Sequence, residues 1–219
     1  MRHTESRSSQ RQQARSVETR AAILAAAGKI FAKGGLAGAR TDAIAAEAGV
    51  NKALLYYYFK NKESLYKAVM EEHIMEFNRA ALEVLNSPGS ARAVLLQYVA
   101  LHFDFVQSRM VYAPLFQQLM SSGSKAMKEI IRKHIEPRSQ AVEKLLARGV
   151  RSGEFRKTSE LHSAVSLAAL VVFYFTSAPV LELLGHTDAY NKANLDRRKQ
   201  EVLDFVRYGL FADPKAPLP

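Results

Sequence analysis

Residues 41–62, TDAIAAEAGVNKALLYYYFKNK, constrain this chain more than any other stretch because they predict two short helices joined by a tight turn. Thr41 is typical of a helix N-cap, and Ile44 and Ala45 then begin an apolar face at helical spacing. Gly49 ends the first helix, since so tight a turn needs a residue that tolerates a positive φ. The stretch therefore predicts a helix-turn-helix.

The second helix of this motif is predicted over residues 52–59, with Asn51 as its N-cap. At about 100° per residue its side chains separate into two faces. The first face is basic and aromatic and holds Lys52, Ala53, Tyr56, Tyr57 and Lys60. The second is mostly apolar and holds Leu54, Leu55, Tyr58 and Phe59. This division is typical of a recognition helix, whose back packs on a small core and whose front contacts phosphates and base edges in a major groove.

The positive charge of the chain is concentrated around this motif. Residues 1–62 carry 11 Lys and Arg against 4 Asp and Glu, a net charge of +7. Residues 63–219 carry 20 against 17, a net charge of +3. A soluble basic protein explains the total of +10 but not this asymmetry, which a polyanion-binding domain requires.

Residues 20–66 resemble the DNA-binding domain of the tetracycline-repressor-like (TetR) family of bacterial regulators. The resemblance is carried, in this order, by RAAILAAAGKIFAKGG, TDAIAAEAGVNKALLYYYF and KNKESLY. It implies DNA contacts at Thr41, Lys52, Ala53, Tyr56, Tyr57, Tyr58 and Lys62, although the helical wheel turns Tyr58 inward. Leu54 departs from the family pattern, which has a small or hydroxylated residue there, so a thymine-methyl contact or extra packing replaces the expected phosphate contact. Arg40 precedes the motif as a further candidate for a phosphate contact or as a simply solvated arginine.

The chain before the motif divides into an arm and a helix. Residues 1–15 are polar and rich in Ser, Gln and Arg, so we expect a disordered basic arm that is either inert or reaches DNA through its arginines. A helix is predicted from Ser16 to the pair Gly34 and Gly35. With the helix-turn-helix it forms a DNA-binding domain over residues 16–62.

Residues 63–212 predict a second, entirely helical domain, followed by a tail over residues 213–219. The clearest loop signal is the sequence Ser87-Pro88-Gly89-Ser90, and Pro137 predicts a kink. The expected helices cover residues 62–85, 91–109, 112–122, 125–149, 159–185 and 189–212. Strand signals are absent, so the fold class is all-α: an N-terminal three-helix DNA-binding domain and a C-terminal helical domain for ligand binding and dimerisation.

The apolar segment 163–181 contains no formally charged residue. Its length suits a thin bilayer, but Ser, Thr and Pro residues interrupt it, so a buried bundle helix is favoured over a membrane span. The amphipathic helix after it covers only part of an element that is apolar nearly all round. By resemblance, the last two helices of two protomers form a homodimer interface, and two-fold symmetry then predicts a palindromic operator.

Aromatic and soft side chains are frequent in the second domain. By resemblance this half holds a small-molecule pocket, and such pockets are apolar with a few polar groups. The candidate ligand-binding residues are Tyr98, His102, Phe105, Phe116, Met120 and Tyr174. The competing interpretation is that these residues form an ordinary core. A bulky apolar or aromatic effector fits the composition.

The residue pattern indicates neither a catalytic site nor a site for a metal or cofactor. The chain has no cysteine, and its six histidines occur without HxxxH or HExxH spacing. No GxSxG, P-loop or GxGxxG motif occurs, and no apolar secretory signal precedes the arm, so we expect a cytoplasmic protein without a catalytic site, metal or cofactor.

Together these features predict a homodimeric, ligand-responsive transcriptional regulator, most simply a repressor released from its operator by a small molecule. Two alternatives remain open at this point. One is a helical small-molecule-binding protein or enzyme with an incidental basic N-terminus. The other is a non-specific nucleic-acid-binding protein, whose affinity would fall with salt but hardly vary with sequence.

Overall fold

A computed structural model of the chain describes residues 2–110, 113–186 and 188–216, apart from the side chains of residues 2–10, 126, 178 and 179. In these ranges the regular elements are helices, and one isolated antiparallel bridge joins Phe155 to Phe211. The chain divides into two compact units, Met1–Glu72 and His73–Pro219. The predicted all-α fold class is confirmed for the described residues.

Eleven α-helices and one π-helical turn follow one another along the described chain. The first four are α1 (Arg2–Gly38), α2 (Thr41–Glu47), α3 (Lys52–Tyr58) and α4 (Lys62–Leu85). The next three are α5 (Ala91–Ser108), α6 (Ala113–Ser121) and α7 (Lys125–Ile130). The π-helical turn (Ile131–Ile135) leads into α8 (Glu136–Arg151), α9 (Glu160–Thr176), α10 (Ala178–Leu183) and α11 (Lys192–Leu210).

A small apolar core holds the N-terminal unit together. Ile23 and Phe31 of α1, Ile44 of α2 and Leu55 of α3 are fully buried. Burying one such side chain contributes about 1.5–3 kcal/mol relative to leaving it in water. The Phe31 ring also meets Tyr66 of α4 edge-on, with ring centroids 5.1 Å apart. The core therefore fixes α2 and α3 against α1.

Helix α1 differs from the prediction at its beginning. It starts at Arg2, so the segment expected to be a disordered arm is helical here, while Met1 lies outside the described residues. Residues 11–15 are all exposed, so no buried apolar face accounts for their helix. The sequence argument weighed only core formation and neglected the high helix propensity of Arg and Gln. At its other end α1 breaks at Gly35 (φ 63°, ψ −173°), which confirms the predicted stop.

Helices α5, α8, α9 and α11 build the core of the C-terminal unit. Leu95 and Phe103 of α5 are fully buried, and so are Leu146 of α8 and Val171 of α9. The ring of Phe103 packs edge-on against Phe175 of α9, at a centroid distance of 5.2 Å. These helices form a bundle around one continuous apolar cluster.

The helix predicted over residues 125–149 is interrupted before Pro137. Its two α-helical parts are separated by the π-helical turn Ile131–Ile135. Proline lacks the N–H donor and its ring clashes with the carbonyl four residues earlier, and wider i→i+5 spacing relieves that clash. The side-chain Nδ2 of Asn78 donates to the carbonyl oxygen of His134 within this turn.

The segment predicted as one buried helix over residues 159–185 is two helices, separated at Ser177. A proline at the start of α10 explains the break, since proline fits the first turn of a helix but not its interior. Burial is also one-sided, because Leu161, Val165 and Phe173 of α9 are exposed. Among the described residues the helical segment long and apolar enough to cross a membrane is Arg11–Gly38, whose apolar side forms the N-terminal core.

The last helix ends two residues earlier than predicted. α11 stops at Leu210, and the ring of Phe211 stacks on Phe155 with centroids 5.6 Å apart. The Arg156 N–H donates to the carbonyl oxygen of Leu210 at 2.9 Å. This pairing draws the chain out of the helix and onto the bundle.

Candidate DNA-binding surface and ligand cavity

The turn of the helix-turn-helix has the predicted geometry. Gly49 has φ +67°, the left-handed conformation that glycine adopts most readily. Asn51 caps α3, since its Oδ1 accepts from the Leu54 N–H at 2.7 Å. Leu55 and Phe59 are buried, so α3 is seated on the core.

The outer face of α3 is exposed as the helical wheel predicts. Tyr57 is 80% and Tyr56 41% exposed, and Lys52, Ala53 and Lys60 are exposed beside them. Leu54 is half-buried, in agreement with partial packing at this position. The face therefore presents two phenol rings and two cations around a small alanine, which leaves room for close approach of a nucleic acid.

Thr41 is not the N-cap of α2. Arg40 has the extended cap conformation (φ −102°, ψ 130°), and its carbonyl accepts from the Ile44 N–H at 3.2 Å. Thr41 is instead the first helical residue, and its Oγ1 lies 3.3 Å from the hydroxyl of Tyr56. Thr41 thus orients a tyrosine of the recognition face, while Arg40 remains exposed beside it.

Lys52 is engaged in an ion pair on the surface. Its Nζ lies 2.8 Å from Oδ1 of Asp42, and more than half of each side chain is exposed. The hydrogen bond and charge of the partner raise the pKa of Lys52 and lower that of Asp42, so both stay ionised near neutral pH. A phosphate that contacts Lys52 must compete with Asp42.

Lys62 holds the end of α1. Its Nζ donates to the carbonyl oxygens of Ala39 at 3.2 Å and Ala37 at 3.4 Å. An ammonium has three donors, so one remains for a further acceptor such as a phosphate. The residue therefore positions the connection between α1 and α2 as well as presenting charge.

Tyr58 is turned away from the exposed face. Its hydroxyl donates to Oγ of Ser16 on α1 at 3.0 Å, and its ring meets Tyr57 edge-on at 5.3 Å. The side chain is half-buried. The structure therefore gives Tyr58 a positioning role between α3 and α1, in the direction that the helical wheel indicates.

A cavity of about 100 Å³ lies within the C-terminal unit. Side chains from five helices, α4, α5, α6, α8 and α9, line it. Three of the candidate ligand-binding residues, His102, Phe105 and Phe116, are among them. The structure thus brings together residues that are far apart in sequence.

The ring of Phe77 is the centre of the cavity wall. His102 stacks on it at a centroid distance of 4.7 Å, and Phe105 tilts against it at 4.9 Å. The guanidinium carbon of Arg138 lies 4.7 Å from the same ring centroid. His73 packs on Phe105 at 4.9 Å. Four aromatic groups and a cation therefore share one apolar enclosure.

Both histidines of the cavity are neutral at physiological pH. Burial lowers the pKa of His102 to about 3, and the positive charge of Arg138 acts in the same direction. Burial lowers the pKa of His73 to about 4, with a further contribution from Arg109. Each imidazole thus offers one donor and one acceptor rather than a charge.

The two arginines of the cavity differ in their partners. Arg109 pairs through Nη2 with Oε1 of Glu76 and covers the Phe105 ring at 4.4 Å. Arg138 donates from Nη1 to Oδ1 of Asn78 at 2.7 Å, and it also interacts with the Tyr98 hydroxyl. Burial lowers the pKa of Arg138 and raises that of Tyr98. Arg109 is therefore neutralised by a carboxylate, whereas the partners of Arg138 are neutral groups.

The remaining candidate ligand residues lie elsewhere. Tyr98 is buried behind the cavity, and Met120 is 42% exposed and does not line it. Tyr174 lines a larger, more open cleft of about 540 Å³ next to the loop between α10 and α11. Its hydroxyl donates to the carbonyl oxygen of Ala189 at 2.6 Å. Helical spacing cannot distinguish these positions, because it gives a face but not the neighbouring helix.

Sequence reasoning missed nine of the twelve residues that line the cavity, and those with aromatic or charged side chains are His73, Phe77, Arg109 and Arg138. For Arg138 a signal exists, since it lies one turn before Val142 and two turns before Leu145 on the buried stripe of α8. An arginine on a buried stripe requires a special partner. His73 and Phe77 likewise share one face of α4 at i, i+4 spacing.

Comparison with known proteins gives matches over both units. The model of "Bacterial regulatory proteins, tetR family" matches residues 23–69, and that of "Tetracyclin repressor-like, C-terminal domain" matches residues 92–206. The HTH-type transcriptional regulator RutR of Escherichia coli is 28% identical over 189 residues, which cover 86% of this chain and 89% of RutR.

Solved structures share the fold. The ketosteroid transcriptional regulator KstR2 of Mycobacterium tuberculosis superposes with a TM-score of 0.73 at 16% identity, over 88% of this chain and 94% of that one. FadR from Bacillus subtilis, in complex with stearoyl-CoA, gives 0.69 at 20% identity, over 84% and 96%. Because the C-terminal match alone spans more than half of the chain, this protein belongs to the tetR family of bacterial regulatory proteins, which are helix-turn-helix transcriptional regulators that bind DNA.

Proposed function

We propose that this regulator is a homodimeric repressor, which occupies a palindromic operator and leaves it when a small-molecule effector binds. The observation that carries the proposal is the outer face of α3, where Tyr56, Tyr57 and Lys52 stand exposed on a helix whose back is buried. Two neighbouring aromatic rings exposed on one helix face are typical of an interaction surface. A major groove supplies that surface.

The residues of this face divide into two roles. Lys52, Lys62 and Arg40 contact phosphates and contribute to affinity on every sequence. Tyr56, Tyr57 and Ala53 lie against base edges and discriminate between sequences. Thr41 supports Tyr56 through their hydroxyl contact, and Tyr58 is assigned to positioning because its hydroxyl is bonded to Ser16.

The dimer is proposed to form through α9 and α11. Leu161, Val165 and Phe173 of α9 and Phe205 and Tyr208 of α11 are all more than half exposed. A shallow cleft lined by Leu170 and Phe205, among others, runs between these two helices. A second copy that covers this face removes a large apolar area from water and doubles the helix pair into a four-helix interface.

Two-fold symmetry then determines the form of the operator. Two recognition helices related by a dyad read the same sequence on opposite strands, so the site is a palindrome with half-sites about one duplex turn, roughly 34 Å, apart. Bound over a promoter, such a dimer excludes polymerase sterically. The protein acts in the cytoplasm, where bacterial DNA lies, and its role requires no catalytic step.

The cavity among α4, α5, α6, α8 and α9 is the proposed effector site. A ligand that binds the DNA-free state more tightly than the operator-bound state shifts the population toward release. A change of 10²- to 10³-fold in operator affinity requires about 3–4 kcal/mol of coupling.

The decisive experiment is selection of bound duplexes from a random library by the purified protein at about physiological salt. We expect enrichment of one palindrome with half-sites about one turn apart. A protein whose affinity falls steeply with salt, but which enriches no sequence, is a non-specific binder and contradicts the proposal. Transcription from a promoter that contains the selected site then distinguishes repression from activation.

A further inference from the structure

We propose that the effector is a small single-ring monocarboxylate, whose carboxylate pairs with Arg138 while its ring fills the aromatic cavity. The inference rests on the proposed function in one respect, namely that this cavity is the effector site. The chemistry of the ligand follows from the charges, the free polar atoms and the size of the enclosure.

The charge argument concerns Arg138. It is half-buried, its guanidinium lies over the Phe77 ring, and among the described residues no carboxylate is within ion-pair distance. Glu76, the carboxylate partner of the cavity residue Arg109, is already engaged in that ion pair. A cation placed in an apolar enclosure with neutral partners is destabilising, and an anionic ligand offsets that cost. One net positive charge faces the cavity, so one negative charge on the ligand matches it.

The geometry favours a carboxylate as the anion. A guanidinium carries five N–H donors in one plane and binds carboxylates through two parallel hydrogen bonds. Asn78 accepts from Nη1 of Arg138 and also donates to the carbonyl of His134, so it locks the guanidinium against the π-helical turn. The fork is thereby oriented before the ligand arrives.

A second polar group in the cavity supports the presence of a ligand. His102 is 7% exposed and lines the cavity, where its ring stacks on Phe77. Its neutral imidazole carries one donor and one acceptor, and a polar group so deeply buried normally has a hydrogen-bond partner. A carboxylate oxygen or a ring substituent of the ligand, such as a hydroxyl group, supplies it.

The size and walls of the cavity select the rest of the molecule. Its volume is about 100 Å³, and Phe77, Phe105 and Phe116 form its walls. An apolar cavity of about 150 Å³ accepts benzene, so the present volume is on the scale of one ring, and a ring that carries a carboxylate extends toward the open side of the cavity. Long acyl chains and fused ring systems need more space than this volume provides. Stacking and edge contacts with the walls favour an aromatic ring over a saturated one.

The test compares charged and neutral ligands of one shape on the full-length protein without DNA. The panel is benzoate, 4-hydroxybenzoate and cyclohexanecarboxylate, with benzamide as the neutral match of benzoate, and binding is measured by calorimetry. We expect at least one carboxylate to bind, and benzoate to bind about 10- to 100-fold more tightly than benzamide, as a hydrogen bond to a charged group provides. The proposal is wrong if no carboxylate binds, or if benzoate and benzamide bind with equal affinity. Measurements on the unmodified protein are enough to decide this.

Two variants on one helix refine the test. Arg138→Gln should abolish the preference for benzoate over benzamide, and Arg138→Lys should restore part of it. Arg148→Gln makes the same change of charge on α8 at a residue outside the cavity, and it should leave the preference intact. An unchanged preference in Arg138→Gln that is folded by circular dichroism contradicts the role of Arg138.

The effector role is read out separately, as release of the selected operator. Carboxylate binding that leaves operator affinity unchanged confirms the ligand chemistry and refutes release by this ligand. Loss of operator affinity only with ligands that bind in an Arg138-dependent manner confirms both. The two proposals thus fail in different measurements.

Discussion

The N-terminal and C-terminal units use positive charge in opposite ways. On α3 the cation Lys52 is more than half exposed and pairs with Asp42 on the surface. In the C-terminal cavity Arg138 is half-buried over an aromatic ring and its partners are neutral. Exposed charge is screened and suits a long polyanion that is contacted at many points, whereas enclosed charge is strong at short range and suits one small anion.

The same contrast holds for hydrophobic surface. The N-terminal unit exposes the Tyr56 and Tyr57 rings, which end in a polar hydroxyl and suit a wet interface. The C-terminal unit exposes Leu161, Val165 and Phe205, which have no polar end. The first kind of surface suits a polar partner that is bound and released, and the second kind is more stable when another apolar surface covers it. This difference is what the proposed reversible contact with DNA and the proposed permanent contact between subunits require.

The largest expected effect tests the proposed permanent contact. Phe205→Asp places a charge on the exposed face of α11 and should convert the dimer to a monomer in analytical ultracentrifugation. Because two half-sites are then read independently, operator affinity should fall by about 10²- to 10⁴-fold. Met75→Asp, a change of an equally apolar and exposed residue on α4, is the matched control and should remain dimeric. If the unmodified protein is itself monomeric, the proposed permanent contact between subunits is wrong.

The next effect concerns the packing that builds the cavity unit. A Cβ added at Gly149 of α8 would lie 2.1 Å from Cδ2 of Phe155, so Gly149→Ala forces the ring to move. We expect a loss of about 3 kcal/mol in the free energy of unfolding, which exceeds the gain of about 1 kcal/mol in helix propensity. Gly38→Ala, at the end of α1, is the control, because its added Cβ meets nothing within 4 Å and the change should be nearly neutral. Thermal and urea denaturation measure both.

Acid should weaken the C-terminal unit through its buried histidines. The folded-state pKa of His102 is about 3 and that of His73 about 4, against an ordinary value of 6.5. Between these values the unfolded chain binds more protons, so the stability present above pH 6.5 is lost as the pH falls. The slope for one group approaches about 1.4 kcal/mol per pH unit below pH 6.5, so the loss from His102 between pH 6.5 and 4.5 is about 2 kcal/mol. His102→Gln should flatten the profile of urea midpoints, and an unchanged profile would refute the assignment.

Truncation of Tyr57 tests the exposed face of α3 that is proposed to contact base edges. Tyr57→Ala should weaken operator binding by about 10- to 100-fold and relax sequence preference, as the loss of a base contact does. Benzoate binding, measured in the cavity, should not change. Lys52→Ala is the comparison on the same face, and it should weaken binding on all sequences and reduce the salt slope. Equal behaviour of the two variants would contradict the division of roles.

The smallest effect is a gain. Asp42→Asn removes the carboxylate that competes with phosphate for Lys52, so DNA affinity should rise by about 2- to 5-fold, as expected for a surface ion pair. Glu47→Gln breaks the matching pair with Lys29 and is the control for the loss of a negative charge. Filter binding at two salt concentrations measures the DNA affinity of both variants. The gain of Asp42→Asn should exceed that of Glu47→Gln, because only Asp42 competes with phosphate for Lys52.

The conformation of the helix-turn-helix could be predicted almost completely because its determinants are local. Asn51, Gly49 and the spacing of Leu55 and Phe59 lie within eleven residues of one another, and local hydrogen bonds specify their conformation. The exceptions are contacts over longer distances. Thr41 meets Tyr56 instead of capping α2, and Tyr58 meets Ser16, 42 residues earlier in the chain.

The cavity could be predicted only in part. Periodicity identifies His102 and Phe105 as members of one helix face, but it does not say that Phe77 and Arg138 complete the wall from two other helices. Composition also placed Tyr174 among the candidates, although that ring belongs to a different cleft. Side chains on one helix are ordered by 3.6 residues per turn, whereas the choice of neighbouring helix depends on how the whole bundle packs.

The sequence by itself determined the all-helical class, the order of the helical segments, the helix-turn-helix and the uneven distribution of charge, since these depend on propensity, capping and composition within short windows. Only the tertiary structure decided which aromatic residues surround a cavity, which arginine in it faces neutral partners, and which apolar side of α9 stays exposed. These properties arise from contacts between residues distant in the chain, and the free energy of such contacts depends on the packing of all their neighbours at once.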